Sequence, residues 1–221
     1  MFEIMLSGRG KPTGGAGMFV REVPASEFIT GVQLASAIGL TAGRPMADAG
    51  WLHFEDTVDG KTKYISKKPL RYSISWDHIN AVGAVFGTAM VVIKGLTYKV
   101  RLLSGANTNP AKGSSGYDAP YTHGCEWNRL MYRVSAKPFG HASNTLASEG
   151  IVEGDWASYT EADLVTNSSA GNGSYSWCQE TGTTGETRVG RGYSGVSLSS
   201  QVPSSISTAP YGWRACLELV P

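Results

Sequence analysis

Lysine is missing from the last third of this sequence. All nine lysines lie between Lys11 and Lys137, and charged residues make up only 17% of the 221 residues. An ordinary soluble domain carries about a quarter. Nineteen basic residues stand against eighteen acidic ones, for a net charge of +1. No basic excess is available to hold a phosphate backbone, so nucleic acid is not expected as a partner. Long apolar runs are scarce as well. The most apolar stretch, residues 81–93, contains two glycines and a threonine and is too short to span a bilayer. Residues 1–20 hold no continuous apolar segment of the secretory kind, which points to folding in a cytoplasm. The three cysteines (Cys125, Cys178, Cys216) cannot all pair and fit no zinc spacing, so buried thiols are expected. A Cys178–Cys216 bridge would need an oxidising setting. The four histidines form no HxxH or HExxH pair, and no metal or other cofactor is expected.

Glycine, serine and threonine are abundant instead. There are 28 glycines, and between Val165 and Thr208 Ser, Thr and Gly supply 24 of 44 residues. This composition predicts exposed loops and short strands. The glycine-rich first 25 or so residues read as a terminal arm. Thr30 with Gln33 has the form of a capping box, Leu34, Ala35 and Ile38 follow at helical spacing, and Gly39 is a stop. Asp59-Gly60 and Lys94-Gly95 each separate two strand-like runs and predict hairpins. Between them, Ser75 caps a short helix carrying Trp76, Ile79 and Val82. Trp127, Leu130, Met131 and Val134 form a helical stripe, a last short helix starts near Thr160, and Trp213–Val220 reads as one strand. Strands and short helices are mixed without a repeating βαβ order, which predicts an α+β domain.

Catalytic patterns are thin. The sequence has no Gly-x-Ser-x-Gly elbow. Cys125 near His123 supplies two parts of a thiol nucleophile without a third, and the structural reading of this cysteine is preferred. Glu153 with Asp155, or Asp118 with Glu126, offers carboxylate pairs for glycan hydrolysis, with nothing to rank them. The glycine clusters at residues 8–10 and 14–17 lack the strand and the Lys-Ser/Thr of a phosphate loop. What remains is aromatic and polar: Tyr175, Trp177, Arg188, Arg191, Tyr193 and Tyr211. Aromatic rings stack on sugars and populate protein interfaces, with Arg, Ser and Asn supplying hydrogen bonds. Trp177 reads as core. Tyr193 and the two arginines suit an interior role and a contact role equally.

Seven phrases, taken in order, carry a resemblance. They are Asp59-Gly-Lys-Thr-Lys-Tyr-Ile65 with Lys68-Pro69, Ser75-Trp-Asp77, Thr97-Tyr-Lys-Val-Arg-Leu-Leu103, Glu126-Trp-Asn-Arg-Leu-Met-Tyr132, Ser174-Tyr-Ser-Trp-Cys-Gln-Glu180, Arg191-Gly-Tyr193, and Tyr211-Gly-Trp-Arg-Ala-Cys-Leu-Glu-Leu219. Together they resemble virion proteins of tailed bacteriophages, described as structural or tail-fibre-like, over roughly residues 30–220. The ending is also similar to the closing strand of the C-type-lectin-like fold, as found in phage tropism determinants and the formylglycine-generating-enzyme group. The resemblance implies an N-terminal attachment arm (1–29) and a C-type-lectin-like domain (30–221). In that fold a twisted antiparallel sheet and two to three short helices support long loops, here with a loop-rich face at 165–211. Trp76, Trp127, Trp177, Trp213 and Arg214 would be structural core, and Tyr175, Arg188, Arg191, Tyr193 and Tyr211 would be ligand-binding. Residues 188–211 occupy the place where diversified tropism determinants vary. Trp127-Asn128 is followed by Arg129 on a predicted helix, so calcium-dependent sugar binding is not implied. The paired catalytic cysteines of formylglycine-generating enzymes are absent too. The expectation is a non-enzymatic protein on the virion surface: an adhesin for host-surface polysaccharide or protein, touching other virion proteins and copies of itself, as a trimer. The alternatives are a purely structural component (head decoration, collar or baseplate) and a glycan depolymerase.

Overall fold

Local signals set the first elements. In the computed structural model, which describes residues 18–112, 125–131, 161–164, 171–193, 196 and 199–221, Thr30 closes a complete capping box. Its Oγ1 accepts from the Gln33 N–H at 3.2 Å, and its own N–H donates to Gln33 Oε1 at 3.0 Å. Helix α1 (Gly31–Ala37) follows. Ser75 Oγ accepts from the His78 N–H at 3.1 Å and starts α2 (Trp76–Ala81). The hairpin of β6 (Phe86–Ile93) and β7 (Leu96–Arg101) turns through Lys94 and Gly95 at φ 51° and 82°. Positive φ at both positions is what a two-residue turn requires.

The chain is α+β with mostly antiparallel sheets. One six-stranded sheet runs in the order β1 (Met18–Val23), β3 (Trp51–Asp56), β4 (Lys61–Ser66), β12 (Cys216–Leu219), β7, β6, and every neighbouring pair in it is antiparallel. The second runs β10 (Ser199–Pro203), β9 (Thr187–Arg191), β8 (Tyr175–Thr181), β11 (Tyr211–Trp213), β5 (Arg71–Tyr72), β2 (Arg44–Pro45). Its β8–β11 pair is parallel, with Tyr211 beside Tyr175 and Gly212 beside Ser176. A π-helical turn (Trp127–Met131) and α3 (Glu161–Leu164) complete the described elements.

Strand alternation divides the interior into two cores. Trp51, Trp177, Trp213 and Leu217 pack with Leu34 of α1 and Ile79 of α2. Their chain neighbours Leu52, Cys178 and Cys216 point the other way and pack with Phe54, Trp127, Leu130 and Val189. Strands buried on both faces need no polar alternation, which is why β12 reads Cys-Leu-Glu-Leu.

Two expectations change. The arm boundary at residue 29 is too late, because Met18–Val23 pairs along β3 and Ile29 is buried; residues 1–17 lie outside the described residues. The predicted single strand at 213–220 is two. After Trp213 the chain passes through Arg214 and Ala215 and enters the other sheet as β12. The loop-rich face at 165–211 carries short strands as its composition predicts, β8, β9 and β10 among its described residues, and β11 begins at Tyr211.

Candidate functional site

The parallel β8–β11 register sets two tyrosines side by side, and β9 brings a third. Tyr193, Tyr175 and Tyr211 stack with nearly parallel rings: Tyr193 to Tyr175 is 4.4 Å at 5°, and Tyr175 to Tyr211 is 5.1 Å at 8°. Tyr211 in turn lies 5.0 Å from Trp177 at 24°. The row therefore runs from the core, where Trp177 is buried and donates its indole N–H to the Ile74 carbonyl at 2.7 Å, to the half-buried rings of Tyr175 and Tyr193. Three of the five expected ligand residues thus form one preorganised aromatic stack, but Tyr211, expected in a ligand-binding loop, is buried in the core and only Tyr175 and Tyr193 are half-exposed. Gly212 makes the strand contact possible, since a Cβ there would meet Pro69 Cβ at 2.8 Å and the Arg71 carbonyl at 3.0 Å.

The two arginines separate. Arg188 lies 4.3 Å over the ring of Trp76 and donates to the carbonyls of Gly185 (2.7 Å) and Thr187 (2.9 Å). Arg191, expected among the ligand-binding residues, is interior at 1% exposure. It donates to the Gly105 carbonyl at 2.7 Å and Asn128 Oδ1 at 3.0 Å, beside the Trp127 ring. Positions 188 and 191 have opposite parity on β9, so they face opposite sides of the sheet. Trp76, Trp127, Trp177, Trp213 and Arg214 are all buried. Arg214 ties the sheets together. It donates to Ser176 Oγ at 2.9 Å, to the Ser66 and Lys67 carbonyls at 2.9 and 2.5 Å, and to the Leu164 carbonyl. Burial without a carboxylate lowers its pKa to about 9.

A feature the sequence reading missed is a charged cluster under the π-helical turn. Lys63, wholly buried, sets its ammonium 2.5 Å from Asp56, 2.5 Å from Asp59 and 2.7 Å from Glu126. Arg101 grips Glu126 with two hydrogen bonds of 2.7 and 2.6 Å and reaches Glu218 at 2.9 Å. Arg129 binds Asp56 at 2.7 Å, and Lys61 binds Glu218 at 2.6 Å. Four carboxylates meet four cations. Asp56, Asp59 and Glu126 have oxygens close enough together for a metal ion, but the Lys63 ammonium lies among them. Burial opposes the charges of Asp56, Lys63, Arg101, Glu126, Arg129 and Glu218 and is overcome at each. Arg101 and Lys63 hold the Glu126 carboxyl well below the usual range, and Glu126 with Asp56 and Asp59 raises the Lys63 pKa. Carboxylates neutralised this way are poor acids or bases, which removes Glu126 from the candidate hydrolytic pairs. Asp118, Glu153, Asp155 and His123 lie outside the described residues.

Glu180 is the exception. It is buried, receives the Gly105 N–H at 2.8 Å, and burial pushes its pKa up to about 7. Arg191 opposes that rise only partly, and Glu126 adds to it. A carboxyl raised on folding binds its proton more tightly when native. Its contribution is therefore complete below pH 4.5 and is lost as pH rises to about 7, on the order of 3 kcal/mol. Asp56, Glu126 and Glu218 have lowered pKa values and act in the opposite sense, losing stability as pH falls below the usual carboxylate range. Urea unfolding is expected to show maximal stability near pH 5 and a decline toward pH 8. Glu180→Gln, which keeps an oxygen for Gly105, should flatten that decline; an unchanged slope would place the raised carboxyl elsewhere.

The thiols are buried and free, as expected. Burial raises the pKa of Cys125 to about 11 and that of Cys216 to about 12, so neither is a ready thiolate. No protein-family profile, curated protein or solved structure matches the chain.

Proposed function

We propose that the chain is a non-enzymatic virion protein of a tailed phage, with a C-type-lectin-like fold, that binds host-surface polysaccharide or protein through the Tyr175–Tyr193 face. The observation that carries this reading is the parallel stack Tyr193–Tyr175–Tyr211 seated on Trp177. Rings already stacked lose little conformational freedom when a sugar ring or an apolar side chain is added, so contact energy is not spent on ordering. The rigid setting, with Gly212 at a close backbone approach and Arg214 bonded across both sheets, supports the lectin-like assignment of the Tyr211–Leu219 segment. Many copies on one particle turn weak single contacts into firm attachment.

Adhesion is measured by binding of the purified chain to host cells and to a glycan array. Tyr193→Ala and Tyr175→Ala are expected to weaken binding about tenfold or more each, since stacking on one ring is worth about 1–3 kcal/mol. Absence of binding to cells that the phage infects would reject the reading. Release of reducing sugar from host capsule would instead establish the depolymerase. A purely structural place in the particle is the second reading, and the apolar side chains exposed on β6 favour it. A map of the intact virion separates the two, because a tyrosine face buried against other virion chains cannot meet the host.

A further inference from the structure

The free edge at β6 differs from the other three sheet edges. β1 carries an irregularity between Phe19 and Arg21 and exposes the Arg21 charge. β2 is two residues long and contains Pro45, and β10 ends at Pro203. Each is a common protection against edge-to-edge pairing. β6 has eight residues, neither proline nor charge, and one irregularity that leaves Ala89–Ile93 regular. In its regular part the outward side chains are apolar, Met90 at 53% exposure and Val92 at 68%, with Phe86 at 57% beyond the polar Thr88. The two-residue turn makes Ile93 and Leu96 a hydrogen-bonded pair. By alternation, the N–H and C=O groups of Val92 and Met90 then point away from β7, where no strand follows among the described residues.

We infer that β6 is a self-association edge, at which a second copy of this chain pairs antiparallel about a twofold axis through Val91. That axis centres the regular part of the strand. Met90 then lies opposite Val92 of the other copy and exchanges backbone hydrogen bonds with it, Ala89 faces Ile93, and Lys94 at the turn meets only Thr88. The strip is neutral from Ala89 to Ile93, and no like charges oppose each other across the axis. A partner of another kind would need no such symmetry of neutral, similar-sized side chains. The two six-stranded sheets become one of twelve, and the interface is isologous and closed. This inference does not depend on the adhesion reading, and it gives a twofold where the virion resemblance implies a trimer.

Sedimentation and native mass spectrometry of the full chain are expected to show two chains per particle, dissociating on dilution. Met90→Lys combined with Val92→Lys places ammonium groups opposite one another at exposed positions. It should raise the dissociation constant by about a hundredfold or more while leaving the far-ultraviolet spectrum and melting of the monomer unchanged. If that variant fails to fold, amide exchange of the parent chain, followed residue by residue, gives the answer. The Met90 and Val92 amides should exchange slowly at high concentration and quickly on dilution, while the Val91 amide, turned toward β7, stays slow. A monomer at every concentration, a trimer, or a dimer in which Met90 and Val92 exchange fast throughout would overturn the inference.

Discussion

Trp213→Ala is expected to destabilise the chain by about 3–5 kcal/mol, the range for removing a large aromatic from a packed core. Trp213 is 0% exposed and belongs to the same core as Trp51, Trp177 and Leu217. Its backbone carbonyl also accepts the Leu70 N–H at 2.7 Å, so the ring is anchored where the chain leaves one sheet for the other. The indole N–H has no hydrogen-bond partner among the described residues. Burying that donor unpaired already carries a cost, so Trp213→Phe, which removes it and keeps most of the apolar volume, should be much milder than alanine. Urea denaturation of the three proteins measures both differences. Near-parent stability of the alanine variant would mean that the Gly212–Arg214 segment is misplaced, and with it the register of the last two strands.

Lys63→Met should cost a similar ~3–5 kcal/mol for a different reason. Methionine fills the same volume but leaves Asp56, Asp59 and Glu126 without the ammonium that each contacts at 2.5–2.7 Å. Removing one partner of a buried charge pair leaves the other desolvated and uncompensated. Arg101 still holds Glu126, and Arg129 still holds Asp56, so the fold should survive at neutral pH, weakened. The pH dependence identifies the cause. In the parent, Asp56 and Glu126 have lowered pKa values, and stability is lost as pH falls through them. In the variant their pKa values rise, so protonation relieves repulsion. The stability gap between variant and parent should therefore shrink from pH 7 to pH 4. A gap independent of pH would point to packing alone.

What the sequence disclosed was local. The Thr30–Gln33 box, the Ser75 cap and the Lys94-Gly95 turn each rest on contacts within four residues, and all are present. Asp59-Gly60 was half legible. Pairing stops at Asp56 with Lys61, so the turn has four residues, and Asp56 Oδ1 accepts the Val58 N–H at 3.1 Å inside it. The serine- and threonine-rich stretch reads as loops and short strands of unstated position, because its strands are not defined by apolar alternation. They are defined by close approach to other elements: a Cβ at Gly105 would meet Cys178 Sγ at 2.5 Å, and one at Gly182 would strike Thr187 and Gln201. The tyrosine site was legible in composition, although a parallel strand pair that no local signal announces creates its geometry. Arg191 could have been set apart from Arg188 by strand parity alone. The cluster around Lys63 was not legible, since its members come from β3, β4, β7, the π-helical turn and β12. Only the sheet order brings them together.

The same sheet order has a consequence for how the protein comes into being. β12 is the shared neighbour of β4 and β7, yet it begins at residue 216, while β7 ends at residue 101. A ribosome adding about 5–20 residues per second needs on the order of ten seconds to cover that interval. Throughout it, the two hairpins β3–β4 and β6–β7 exist without the strand that joins them, each with a hydrogen-bonding edge exposed to the cell. Folding of this sheet is therefore a closing step rather than a progressive one, and the nascent chain must be kept from its neighbours until Cys216–Leu219 arrives.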